Sequence, residues 1–90
     1  MVKIDGLVNN PVGLTSKVCA ELVAEANRAT QCELTLYSGN DSADLKSIMN
    51  MMSLFLTYNQ EFTIEINGVN EDEVKEKMLT LLSNLNLLKQ

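Results

Sequence analysis

The stretch EFTIEINGVNEDEVKEKMLTLLSNL, residues 61–85, contains the strongest strand pattern and the strongest helix pattern of this chain. In its first part, Phe62, Ile64 and Ile66 alternate with polar residues. Strict alternation with a period of two is typical of a strand with one buried and one solvated face. The sequence therefore predicts a half-buried β-strand that begins near residue 61.

The second part of this stretch predicts an amphipathic helix that begins after Asn70. Asn70 is a favourable N-cap residue, and Glu73, three positions later, can complete a capping box with it. The run of acids at residues 71–73 suits the positive end of a helix dipole. Apolar side chains then recur at helical spacing and predict one buried face: Val74, Met78, Leu81, Leu82 and Leu85.

Before residue 61, the alternation typical of strands and the spacing typical of helices recur in separate segments, with turn residues between the segments. Alternation predicts strands over residues 2–8 and 32–37, and a short, weak strand before Leu45. A helix capped by Thr15 or Ser16 is predicted from an apolar stripe of Val18, Cys19, Leu22, Val23 and Ala26. Residues 47–54 are rich in Met and Leu, which favours a short helix capped by Ser47, with Met51 and Leu54 inside.

The order of elements predicts an α+β fold of one domain over residues 1–90. Strands and helices follow one another as β-α-β-β-α-β-α. In so short a chain, this order fits a two-layer, open-faced sandwich with helices covering one face of a sheet. An antiparallel sheet permits the other face to be solvated, so Glu33, Thr35, Thr63 and Glu65 are expected to face water.

Composition excludes several classes of function. The net charge is −5 and Arg28 is the only arginine, whereas nucleic-acid binding depends on cationic contacts to phosphates. No apolar run reaches the ~18 residues that a membrane-spanning helix needs, and the N-terminal residues lack a signal-peptide pattern. We therefore expect no direct nucleic-acid or membrane partner and a cytoplasmic location.

The sequence contains no histidine. This excludes Ser-His-Asp and Cys-His catalysis, His-based metal sites and phosphohistidine chemistry. Cys19 and Cys32 do not form a C-x-x-C pair, so they are expected to be reduced and buried. We expect no metal and no cofactor, and we expect that the chain is not an enzyme.

Three segments resemble proteins of the HPr family, and their spacing matches that family over essentially the whole chain. Residues 45–54, LKSIMNMMSL, resemble the regulatory-serine segment that typically reads L-K-S-I-M-G-x-M-S-L in HPr proteins of Gram-positive bacteria. Residues 13–14 match the start of the active-centre motif G-L-H-A-R-P. Residues 68–71 resemble the G-x-D-E that opens the last helix of the family. The resemblance implies a four-stranded antiparallel sheet with three helices on one face.

The active-centre motif departs from the family at several positions. Thr15 stands where the resemblance places the phosphorylated histidine, Lys17 replaces an arginine and Val18 replaces a proline. Phe55 stands where the family commonly has glycine after S-L, which places a bulky ring near the former active centre. A threonine phosphate ester transfers its phosphate much less readily than phosphohistidine, and Lys17 lacks the planar fork of arginine. The resemblance therefore implies a protein that has lost phosphocarrier activity.

The same resemblance assigns two candidate sites to the segment 45–54. Ser47 matches the serine that a dedicated HPr-type kinase phosphorylates, although an N-cap role alone would also explain a serine there. Ile48, Met49 and Met52 match an apolar patch that docks partner proteins, although a Met-rich helix is more often core. Thr15, Ser16 and Lys17 could contact an anion or a partner, or only cap the first helix.

Three functions follow from these observations. The first is a regulatory or interaction protein related to the bacterial phosphoenolpyruvate–sugar phosphotransferase system, which contacts proteins of that system, a catabolite-control regulator or an HPr-type kinase. The second is a phosphocarrier that uses an unusual residue such as Thr15 or Cys19. The third is a structural adaptor unrelated to sugar transport, in which Ser47 is only a helix cap.

Overall fold

The computed structural model describes residues 1–89, which form four strands and three helices. Their order confirms the predicted pattern: β1 (Val2–Leu7), α1 (Ser16–Arg28), β2 (Cys32–Ser38), β3 (Asp41–Asp44), α2 (Ile48–Met52), β4 (Glu61–Gly68) and α3 (Glu71–Asn84). None of these helices is long and apolar enough to cross a membrane.

The strands form one antiparallel sheet in the order β1-β4-β2-β3. Ile64 of the interior strand β4 lies opposite Ile4 of β1 on one side and Leu36 of β2 on the other. All three side chains are almost fully buried. This register places the apolar positions of each strand on the same face of the sheet.

The three helices cover that face and enclose one hydrophobic core. Each helix inserts buried side chains into it: Cys19, Leu22 and Ala26 from α1, Met51 from α2, and Val74, Met78 and Leu82 from α3. Some stripe positions named from the sequence are only half-buried, because they lie at the margins of the buried faces: Val18, Val23, Leu54, Leu81 and Leu85.

The predicted capping box at Asn70 is wrong. The Asn70 side chain makes no capping hydrogen bond to α3. Its Oδ1 instead accepts a hydrogen bond from the Cys32 thiol at 3.3 Å. Glu71, not Glu73, reaches back, since its Oε1 accepts from the Gly68 amide at 3.3 Å. A contact with β2 has therefore replaced the local cap.

Both cysteines are free and buried, as the sequence predicts. Cys19 lies in the core under α1 with 2% of its surface exposed. Burial raises the pKa of the Cys19 thiol. This thiol is therefore protonated near neutral pH and is a poor nucleophile.

Candidate docking and modification site

Thr15 caps the first helix, as the sequence predicts. Its backbone is extended, and its Oγ1 accepts a hydrogen bond from the Val18 amide at 3.3 Å. Thr15, Ser16 and Lys17 are all exposed. Lys17 has no ion-pair partner among residues 1–89. The start of α1 therefore presents a hydroxyl and an unpaired cation to solvent.

The loop that leads into α1 lies directly against the loop that follows α2. The Leu14 amide donates a hydrogen bond to the Leu56 carbonyl at 3.0 Å. Gly13 has a φ of 78°, and a Cβ added there would lie 2.7 Å from the same carbonyl oxygen. Glycine is therefore required at this position by both its backbone conformation and its close approach to residue 56.

Ser47 caps α2, which confirms the structural part of the expectation for this residue. Its Oγ accepts a hydrogen bond from the Asn50 amide at 3.3 Å, and its backbone is extended. The Ser47 amide donates to the Asp44 carbonyl at 2.9 Å, which fixes the hydroxyl at the junction between β3 and α2. The side chain stays partly accessible.

Two hydrogen bonds connect Lys46, the residue before Ser47, to the end of α1. Lys46 Nζ donates to the carbonyl of Ala29, the C-cap residue of α1, at 2.7 Å, and the Cys32 amide donates to the same carbonyl at 3.3 Å. Asn27 Nδ2 donates to the Lys46 carbonyl at 3.0 Å and to the Val23 carbonyl at 2.9 Å. These hydrogen bonds were not predicted from the sequence, in which the only signal for them was an asparagine in the last turn of a predicted helix.

The two faces of α2 have opposite environments. Met51 is buried, with 1% of its surface exposed, whereas Met49 is 77% and Met52 is 45% exposed. Ile48 is half-buried and packs against the core. Of the three predicted docking residues, the structure therefore places Met49 and Met52 in solvent and assigns Ile48 partly to the core.

Phe55 adds an aromatic ring just beyond α2. Its side chain is 81% exposed and its φ is 51°, in the left-handed region. That region is unfavourable for a bulky residue and costs about 1–2 kcal/mol for a residue with a Cβ. A glycine would be free of this cost, so the backbone conformation suits the glycine that the resemblance to the HPr family implies at this position.

These contacts connect Thr15 and Ser47 to opposite ends of the neighbouring helices. Thr15 follows the loop held by Leu56, beyond the end of α2. Ser47 stands at the start of α2, beside the end of α1. Met49, Met52 and Phe55 lie along the chain between the two contacts. The segment from α2 to Phe55 therefore combines a capping serine with three exposed apolar side chains.

The sequence and the fold both match one family of known proteins. A family model described as "PTS HPr component phosphorylation site" matches residues 2–84. The chain therefore belongs to the HPr family of the phosphotransferase system. HPr proteins are phosphocarriers rather than catalytic enzymes.

The relatives include phosphocarrier proteins named HPr and an HPr-like protein. The phosphocarrier protein HPr of Mycoplasma pneumoniae is 34% identical over 83 residues, which cover 91% of this chain and 93% of the relative. The HPr-like protein Crh of Bacillus subtilis is 36% identical over 66 residues, which cover 73% of this chain and 76% of the relative.

Solved structures agree with the fold. A histidine-containing phosphocarrier protein from a Mycoplasma superposes with a TM-score of 0.91 at 24% identity and covers 99% of this chain and 100% of its own. The catabolite-repression protein Crh of Bacillus subtilis superposes with a TM-score of 0.71 at 31% identity, covering 92% of each chain.

The close approach of Gly13 to Leu56 leads to a stability prediction. We expect Gly13→Ala to lower the free energy of unfolding by more than Gly39→Ala, in urea titrations followed by circular dichroism. Both glycines have a positive φ, but a Cβ at Gly39 would meet nothing within 4 Å. The left-handed backbone alone costs about 1–2 kcal/mol, and the backbone clash at Gly13 adds to it. Equal losses would contradict the packing described for this loop.

Proposed function

We propose that this chain is a regulatory, protein-binding member of the HPr family that acts in the cytoplasm and does not relay phosphate. The observation that carries the proposal is an HPr fold whose sequence contains no histidine, combined with a serine at the start of α2. The 36% identity to the Crh protein supports a regulatory role.

Loss of the carrier function follows from the chemistry at the start of α1. Thr15 can form only a phosphate ester, which does not support the rapid, reversible transfer of a phosphohistidine. Its Oγ1 is already used as a helix cap. Lys17 can supply positive charge but not the bidentate contacts of a guanidinium.

Ser47 is proposed as the regulatory phosphorylation site, modified by an HPr-type kinase. Ser47 lies at the first turn of α2 and is partly accessible. Its hydroxyl oxygen accepts a hydrogen bond from the Asn50 amide, and its own amide donates to the Asp44 carbonyl. A phosphate there would add about −1.5 to −2 charges at neutral pH. It would lie close to the Asp44 carboxylate, which accepts a hydrogen bond from the Lys46 amide at 2.9 Å. Such a change is large enough to alter the choice of partner.

We expect incubation with an HPr-type kinase and ATP to add one phosphate to the protein. Intact-mass spectrometry measures the addition, which Ser47→Ala should abolish and Thr15→Ala should not affect. An unmodified but folded protein would contradict the switch and favour an adaptor in which Ser47 is only a cap. Addition of phosphate to the Ser47→Ala variant would show that another residue is the modification site.

Met49 and Met52 are proposed to dock partner proteins of the phosphotransferase system or a catabolite-control regulator. Their exposure is high for apolar side chains, and methionine adapts to different partner surfaces. Ile48 contributes the part of its side chain that the core leaves accessible. Thr15 and Lys17 complete the surface at the start of α1.

Replacing Met49 and Met52 together by lysine should reduce kcat/KM of an HPr-type kinase for Ser47 at least tenfold without unfolding the protein. The matched control is Met51→Lys on the same helix, which buries a charge and should unfold the domain. Circular dichroism separates the two effects. An unchanged kcat/KM in the folded double variant would remove these methionines from the docking surface.

A phosphocarrier that uses Thr15 or Cys19 is the second candidate. The buried, protonated thiol of Cys19 argues against its use. We expect no label from phosphoenolpyruvate and the first enzyme of the phosphotransferase system, with a histidine-containing HPr as positive control. A label that disappears in Thr15→Val or Cys19→Ala would establish the carrier function and contradict our proposal.

A further inference from the structure

We propose that the first residues of β2 bind an extended peptide segment of another protein, and that this segment carries lysine or arginine. The segment pairs with β2 through main-chain hydrogen bonds and extends the sheet at a place where β3 is absent. We call residues 32–34 the open edge. The proposal goes beyond the regulatory function proposed above, because it assigns a second contact surface that shares no residue with α2 or the start of α1.

The sheet is incomplete beside the start of β2. β4 pairs with β2 from Cys32 to Tyr37, whereas β3 pairs only with Thr35–Ser38. After Asp44 the chain turns away, and the Ser47 amide closes this turn by donating to the Asp44 carbonyl at 2.9 Å. Within residues 1–89, the edge of β2 that faces β3 therefore has no paired strand along the open edge.

Two main-chain groups of the open edge are left without a hydrogen bond. The Leu45 amide donates to the Leu34 carbonyl at 3.0 Å, so the backbone of Leu34 faces the side of β3. The amide of a strand residue points to the same side as its carbonyl, but the Leu34 amide has no acceptor among residues 1–89. Cys32, two residues earlier, faces the same side. Its amide donates to Ala29, whereas its carbonyl accepts no hydrogen bond from the part of the chain that the structure describes.

These two groups can receive one residue of an extended chain. They flank Glu33 on one edge, so a residue placed beside Glu33 can donate its amide to the Cys32 carbonyl and accept from the Leu34 amide. Recognition of peptides by strand addition uses main-chain bonds of this kind. Leu34 is only 1% exposed, and a buried main-chain donor without an acceptor is unfavourable. A bound segment would supply the missing acceptor.

A cavity beside the open edge gives such a segment room. Its volume is about 290 Å³, and it is lined by the three residues of the open edge together with Thr35, Asp44 and Lys46. The Lys46 side chain is directed to the end of α1, where its Nζ donates to the Ala29 carbonyl at 2.7 Å. The side of β2 on which a further strand would lie therefore borders a space that Lys46 does not close.

The charges around the cavity specify a side chain of the segment. Asp44 lies opposite Thr35 in the sheet, and Glu33 precedes Thr35 by two residues, so both carboxylates lie on the solvated face. Both are exposed, and neither forms an ion pair among residues 1–89. Every second side chain of a bound segment would point to this face. A lysine or arginine there would complement the two carboxylates.

Other occupants fit this site less well. Two copies that paired through the open edge would bring Glu33 and Asp44 of each copy together, and like charges on neighbouring strands are destabilising. Residues 1–89 contain no group of three potential ligands that could hold a metal ion. Nucleic acids and anionic membranes are bound through cationic residues, whereas this site presents carboxylates. A cationic peptide segment is the occupant that the charges favour.

A peptide library identifies the segment. Phage that display random ten-residue peptides are depleted on the Glu33→Gln, Asp44→Asn double variant and then selected on the unchanged protein. Asp44→Asn keeps the side-chain oxygen that accepts from the Lys46 amide, so the turn after β3 is preserved. We expect the selected peptides to share a lysine or arginine flanked by β-branched residues. Selection of no peptide, or of peptides without a cation, would overturn the proposal.

Nuclear magnetic resonance locates the bound peptide. A selected peptide is synthesised and titrated into the isotope-labelled protein. We expect the Leu34 amide proton to shift downfield, because it gains a hydrogen-bond acceptor, while the amides of Thr15 and Ser47 do not respond. An unchanged Leu34 resonance, or shifts confined to α2 and the start of α1, would contradict the site.

Affinities test the ion pairs separately. We expect Glu33→Gln, Asp44→Asn to weaken Kd for the peptide at least tenfold. The matched control, Asp72→Asn, Glu76→Gln, removes the same charge from exposed positions of α3 and should leave Kd within twofold. Circular dichroism confirms that both double variants are folded. Equal effects of the two double variants would overturn the role of the carboxylates.

Methylation of the peptide amides tests the pairing as a strand. Only one edge of a bound segment faces β2, so N-methyl groups should abolish binding at alternate positions and be tolerated between them. A peptide that tolerates methylation everywhere does not add as a strand. Because Ser47→Ala should bind the peptide as the unchanged protein does, this outcome is independent of the phosphorylation experiment. Absence of peptide binding with Ser47 phosphorylated would overturn the open edge alone, and the reverse result would overturn the switch alone.

Discussion

The pairing of β4 with both β1 and β2 is the constraint on which the rest of this structure depends. β4 is the last strand in the sequence but an interior strand of the sheet. Its inward residues Phe62, Ile64 and Ile66 are almost fully buried, and they bring residues from the two halves of the chain into one apolar layer. The three helices pack on this layer, and it positions the start of α1 and the whole of α2 relative to each other.

The site consists of local elements held by a few long-range bonds. Thr15 and Ser47 each cap their own helix, a role that needs only adjacent amides. Their relative placement depends instead on the bond from Leu14 to Leu56 and on the contact of Lys46 with the end of α1. Both bonds end on backbone carbonyls, and neither uses the side chain of Thr15, Lys17 or Phe55. Substitutions at Thr15, Lys17 or Phe55 can therefore change the chemistry of the site while the fold persists.

Sequence reasoning succeeded where the signal was local or periodic. Alternation in β4 and the helical stripe of α3 predicted those elements, and a serine before a Met-rich run predicted the cap at Ser47. It failed at Asn70, because the carbonyl oxygen of its side chain bonds to a thiol 38 residues away in the sequence. It also did not predict the hydrogen bond from the Asn27 side chain to the Lys46 carbonyl, which joins α1 to the start of α2. The left-handed backbone of Phe55 opposes the preference of an aromatic residue, because the path of the chain after α2 is fixed by tertiary contacts.

The position of β4 also has a consequence for synthesis of the protein. Residues 1–60 are synthesised before β4, the strand that joins β1 to β2, so β1 has no partner and β2 can pair only with β3 until then. Pairings between distant residues form slowly, and unpaired strand edges are prone to aggregation. The nascent chain thus has only the β2–β3 hairpin as an early sheet nucleus, and the sheet closes only after the emergence of β4. Residues 61–68, although they come late in the sequence, therefore determine when the four-stranded sheet can first form.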